Sequence, residues 1–166
     1  MKRAAGLAFV AIAAAAIATA HPHFNKTVSA TLSPGVEVAI TYNTTPANEM
    51  RAQAVKVGEF VSPRGPVLKL SGEVKTEKAT VPAGEYTIGV IKNAEKDWTL
   101  ALYPGRLARG QAPEMAKAVK LDSMFEGDKG TAEHMLIDVT PGHGRFEGKA
   151  VLTLHFGSLF LSGLLG

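Results

Sequence analysis

Val36, Val38, Ile40 and Tyr42 fall at every second position, with Glu37, Ala39, Thr41 and Asn43 between them. A segment patterned this way buries one side only as a β-strand, because a period of two matches the pleat and no helix. The pattern begins after Ser33-Pro34-Gly35, where proline presets φ and glycine supplies positive φ, and it stops at Thr44-Thr45-Pro46. A preceding strand is expected over residues 25–32. Further along, Trp98, Leu100 and Leu102 alternate with Thr99, Ala101 and Tyr103, and a polar turn at 93–97 joins them to a strand over 86–91 as a hairpin. Met135, Ile137 and Val139 mark one face of a strand over 134–139, and Leu152, Leu154 and Phe156 one face of a strand over 150–156.

Short strands are expected at 67–70 and 73–78. Pro46, Gly58, Pro63, Gly65 and Pro66 break anything long between 46 and 66, leaving a loop with a helical turn or two at 47–57. Residues 104–113 read as a loop, and 114–121 as either a short helix opened by Pro113 or a strand. Seven to nine short strands with turn signals between them predict an all-β fold, an antiparallel β-sandwich of immunoglobulin-like architecture. The apolar run at 159–164, after the last of these strands, suits packing across the sandwich or a partner contact, and is too short to span a bilayer.

The first twenty residues have a different logic. Lys2 and Arg3 precede an uncharged stretch at 4–17 and then Ala18-Thr19-Ala20, the small-x-small pattern behind which signal peptidase cuts. Residues 1–20 therefore read as a cleavable signal. The apolar stretch is shorter than the ~20 residues a bilayer needs and is mostly alanine, so a retained anchor fits less well. The mature chain would begin at His21 as one domain over 21–166, located in the periplasm or secreted, with a partner in the envelope or at the cell surface and no membrane span. Losing Lys2 and Arg3 leaves 16 of the 18 basic side chains against 15 acidic ones, a net charge of +1. No Lys or Arg cluster survives to follow a phosphate backbone, so nucleic acid is not an expected partner. With no cysteine, disulfides and thiolate metal sites are excluded, and any metal would sit on nitrogen and oxygen.

From 36 to 156 the order of features resembles an exported bacterial family known as domain of unknown function 2911. The segments that carry the resemblance are Val36-Glu37-Val38-Ala39-Ile40-Thr41-Tyr42, Leu68-Lys69-Leu70-Ser71-Gly72-Glu73-Val74, Val81-Pro82-Ala83-Gly84-Glu85-Tyr86-Thr87 and Asp97-Trp98-Thr99-Leu100. The Pro-Ala-Gly-x-Tyr motif with a Trp-Thr pair about a dozen residues later is the most specific part. Where the family tends to carry Trp-Arg-x-Gly-x-Asn-Glu, this chain has Phe60-Val61-Ser62-Pro63-Arg64-Gly65, which marks a divergent member. The resemblance implies export, a β fold and a strand within 114–121. It implies no chemistry, since no activity is established for the family.

The histidines are the sharpest chemical lead. His21-Pro22-His23 opens the expected mature chain, and His134, His143 and His155 follow. A terminal histidine offers an α-amino and an imidazole nitrogen from one residue, and one more imidazole completes a T-shaped three-nitrogen set suited to copper(II). In this it is similar to the mature N-termini of copper-trafficking periplasmic sandwiches and copper-dependent polysaccharide oxygenases. The square-planar motif with histidine third needs deprotonated amides at residues two and three, and Pro22 has no amide hydrogen. His21 with His23, His134 or His155 is therefore the expected metal set. Strand parity places His134 and His155 on outward faces, and a hairpin centred between Gly144 and Arg145 would set them opposite each other with Cβ atoms about 5 Å apart. His143, between glycines, reads as surface.

No Gly-x-Ser-x-Gly, His-Glu-x-x-His or phosphate-cradling glycine loop is present. Asp122, Glu126, Asp128, Glu133 and Asp138 fit no calcium-loop spacing and read as a solvated acidic edge. Two functional readings follow: a non-enzymatic exported binding module, or a copper-binding or copper-trafficking protein using His21. A copper oxygenase ranks below both, because such enzymes present a broad aromatic or polar substrate face and only 7% of this chain is aromatic.

Overall fold

The computed structural model describes residues 23–166 apart from positions 33, 78 and 109. The expected signal segment and His21 lie outside the described residues. In chain order the strands are β1 (Asn25–Leu32), β2 (Val36–Asn43), β3 (Phe60–Val61), β4 (Val67–Leu70), β5 (Val74–Lys75), β6 (Thr80–Val81), β7 (Gly84–Ala94), β8 (Asp97–Pro104), β9 (Val119–Lys120), β10 (Asp122–Glu126), β11 (Ala132–Pro141), β12 (Ala150–Gly157) and β13 (Leu159–Leu165). A short helix, α1 (Glu49–Gln53), starts where the Asn48 side chain accepts from Arg51 N–H at 2.9 Å. The fold is all-β, with every strand pairing antiparallel.

The first sheet runs β1-β2-β4-β7-β8-β9, with β3 also paired to β7. Its alternation does what the sequence predicts: Val38, Ile40 and Tyr42 are buried while Glu37 and Thr41 face water. Gly35, at φ 100°, closes the β1–β2 turn by donating to Leu32 O at 2.6 Å. At the entrance to β7 the Pro-Ala-Gly-x-Tyr motif acts structurally. Gly84 takes φ 153°, and the buried Tyr86 donates its hydroxyl proton to Pro82 O at 2.7 Å. β7 is buried on both sides. Tyr86, Ile88 and Val90 face the main core, while Ile91 joins Phe60, Ala101 and Tyr103 in a small second cluster on the outer side. Gly89 permits that cluster, since a Cβ there would collide with the Phe60 ring.

The second sheet runs β10-β13-β12-β11, and β5 with β6 forms a separate pair. One core joins both sheets: Ile40, Leu68, Ile88 and Leu100 from the first meet Met135, Ile137, Leu154 and Leu161 from the second, all at most 2% exposed. Each such side chain contributes roughly 1.5–3 kcal/mol of burial. At one margin β1 lies against β11, and at the other β8 lies against β10 and β13.

Three expectations need correction, and one divides between its alternatives. The run at 159–164, expected to follow the last strand, is itself the inner strand β13, whose Leu159, Leu161 and Leu165 point into the core. Asp122 and Glu126, expected in a solvated acidic edge, bound a strand, β10, and are half-buried. The segment 114–121 holds both of its alternatives in series, a 3₁₀ turn at Met115–Lys117 and then β9. The β11–β12 register also differs: Leu136, not His134, stands opposite His155. The connection absorbs a 3₁₀ turn at Gly144–Phe146, which moves the hairpin centre by one residue and every pairing by two. A bulge between Ala132 and Leu136 then takes up the difference, so that Ala132 pairs with Gly157.

Candidate metal centre

After β2 the chain leaves the first sheet and crosses to the edge of the second. Phe24 and Thr44 fasten the start of this crossing: Thr44 N–H donates to Phe24 O at 2.8 Å, and Phe24 N–H to Thr44 Oγ1 at 2.9 Å. On the other side Met135 N–H donates to Thr45 O and Ala47 N–H to Glu133 O, both at 2.8 Å. Pro46 bridges to His134 between these bonds, a sheet-edge position where proline's missing donor costs no ladder bond.

This crossing brings together two of the expected ligands. The rings of His23 and His134 have centroids 6.5 Å apart and planes at 61°. His23 is exposed, with Nδ1 3.3 Å from Thr44 O. In the tautomer protonated at Nδ1 the ring N–H donates to that carbonyl, and Nε2 keeps its lone pair for a ligand. His134 is half-buried, and its Nε2 is shielded from water. Two imidazoles holding one ion from opposite sides through ~2 Å bonds keep their ring centres roughly 6 Å apart. The observed separation is within a few tenths of an ångström of that value.

The other histidines go elsewhere. His155 is half-buried on the outer face of β12, its Nε2 3.3 Å from Gly130 O and its ring edge-on to Phe160 at 5.3 Å. His143 is exposed and precedes the 3₁₀ turn. His21 lies outside the described residues. Among the described residues no three His, Asp or Glu side chains are grouped to hold a metal ion. The acidic residues are dispersed: Asp122 Oδ2 accepts from Glu77 N–H at 3.0 Å, Glu126 pairs with Lys129 at 2.8 Å, and Asp138 Oδ1 accepts from Val139 N–H at 2.9 Å.

Two polar devices had no sequence signal beyond residue type. Glu49, in the first turn of α1, accepts from Ser158 N–H at 2.5 Å and from Ser158 Oγ at 3.1 Å, tying the helix to the β12–β13 turn. Glu85 sits between Arg106 at 3.0 Å and Lys69 at 2.8 Å. Their hydrogen bonds, Arg106 first, hold its carboxyl pKa down at about 2. Among the described residues no helix is long and apolar enough to cross a membrane. Comparison of the chain with protein-family models, with curated proteins and with solved structures finds no match.

Proposed function

We propose that the protein is an exported, non-enzymatic β-sandwich module of immunoglobulin-like architecture, a divergent relative of domain of unknown function 2911, that binds copper(II) at its mature N-terminus. The architecture is supported by the two antiparallel sheets sharing one core and by the Tyr86 hydroxyl bonded back to Pro82 O, a bond of the kind found at the tyrosine corner of such sandwiches.

The approach of His23 to His134 carries the metal reading. Cleavage behind Ala20 would free the α-amino nitrogen of His21, two residues from His23 and so tethered within ~7 Å of it. That amine, the His21 imidazole and the His23 and His134 rings make an all-nitrogen donor set, which favours copper(II) over hard cations such as calcium or magnesium. His155, beside Leu136 and Phe160, is left out of this set. His23 precedes the first strand of one sheet and His134 begins the edge strand of the other, so an ion shared between them would also clip the sheets together and stabilise the fold by mass action.

Copper(II) titration followed by EPR, on protein whose His21 terminus is confirmed by mass spectrometry, tests the reading. One equivalent bound with nitrogen hyperfine structure, lost in His21→Ala, is the expected result. Binding that survives His21→Ala unchanged, or that never saturates near one equivalent, refutes it.

A further inference from the structure

The outer face of the second sheet is unusually apolar at one corner. Its outward positions pair across three strands as Asp122, Leu164 and Val151, and as Met124, Ser162 and Thr153. An antiparallel sheet normally shows water a polar outer side, yet here Met124 is 55% exposed with Leu164 and Val151 only half-covered. The 3₁₀ turn at Gly144–Phe146 folds against the same corner, and together they line a cup of about 340 Å³.

At the rim of this cup the Arg145 guanidinium carbon stands 4.6 Å from the centroid of the Phe146 ring. A guanidinium laid on an aromatic face keeps its N–H edge free for a planar anion. Among the described residues no carboxylate pairs with Arg145. The acid that also lines the cup, Asp122, already accepts the Glu77 N–H at 3.0 Å. A cation beside a half-covered apolar floor is complementary to a molecule with an anionic head and an apolar tail.

We infer that this cup binds a small alkyl monocarboxylate, with the carboxylate on Arg145 and the tail across Leu164, Val151 and Met124. The site is separate from the histidine pair and needs no metal. The volume suits a chain of several carbons.

Sodium octanoate is the probe, titrated into the full chain while methyl signals are followed by NMR, with octanol as the uncharged counterpart. Saturable shifts are expected at Leu164, Val151 and Met124. Arg145→Ala, an exposed substitution outside the core, should weaken binding about tenfold, as should exchanging octanoate for octanol. Absence of shifts at millimolar octanoate, shifts centred on other methyls, or equal binding by Arg145→Ala overturns the inference.

Discussion

His134 and His155 lie on adjacent strands of one hairpin, and their surroundings differ in almost every respect. His134 stands within a β-bulge, beneath a segment crossing from the other sheet, with a second imidazole 6.5 Å away. His155 stands in a regular ladder between Leu136 and Phe160, on a face that water reaches. Side-chain parity assigns faces correctly while a ladder is regular, as at His155. At a bulge the strand gains a residue, and the side chain there is free to serve a neighbour outside its own sheet.

The largest effect that can break this contrast is in the core beside the bulge. Met135 is fully buried and Leu136 is 45% exposed, as consecutive strand residues on opposite faces. Met135→Ala should cost about 2–5 kcal/mol by urea denaturation, and Leu136→Ala at most about 0.5 kcal/mol. Equal losses would mean that Met135 and Leu136 do not face opposite sides of the sheet as described. Next in size is the metal effect. Copper at a hundredfold excess over Kd should stabilise the parent and His155→Ala by about 2.7 kcal/mol, read as a rise in Tm, and His134→Ala far less.

On the His155 side, Gly157 takes φ 62° in the β12–β13 turn, where an added Cβ would meet the Glu49 carboxylate. Gly157→Ala should therefore cost about 1–2 kcal/mol while leaving copper affinity unchanged, a separation that calorimetry on one sample can check. The smallest effect lies on the first sheet, far from this hairpin. Glu85 is lowered from 4.5 to about 2, so its contribution is complete above pH 4.5 and lost as pH falls toward 2. Glu85→Gln should flatten that part of the stability profile, and only slightly, because the group is exposed.

Much of the fold was legible where one face was apolar and the other polar, as in β2, β11 and β12, while the β7–β8 hairpin, buried on both sides, was marked by its polar turn and the Trp98, Leu100, Leu102 alternation. β13 escaped because Leu159-Phe160-Leu161 and Leu164-Leu165 put apolar side chains on both faces, which hides a period of two. β10 escaped because Asp122, Ser123 and Glu126 read as a polar edge. The β11–β12 register was beyond reach, since residues 142–149 can absorb a turn that no local pattern announces. His21-Pro22-His23 stood out in the sequence, and His134 and His155 were both candidates beside it, but which of the two approaches His23 was not legible. It is chosen by the crossing at Thr44 to Ala47, a tertiary arrangement whose only local mark is Pro46. The motif that looked most specific, Pro-Ala-Gly-x-Tyr, is accounted for by a turn and one buried hydroxyl bond.

The most direct test of the metal centre is to count the nitrogens on copper(II) by pulsed EPR in three proteins: the parent, His134→Ala and His155→Ala. The account predicts one imidazole fewer in His134→Ala and an unchanged count in His155→Ala. An unchanged spectrum in His134→Ala, or a nitrogen lost in His155→Ala, would contradict it.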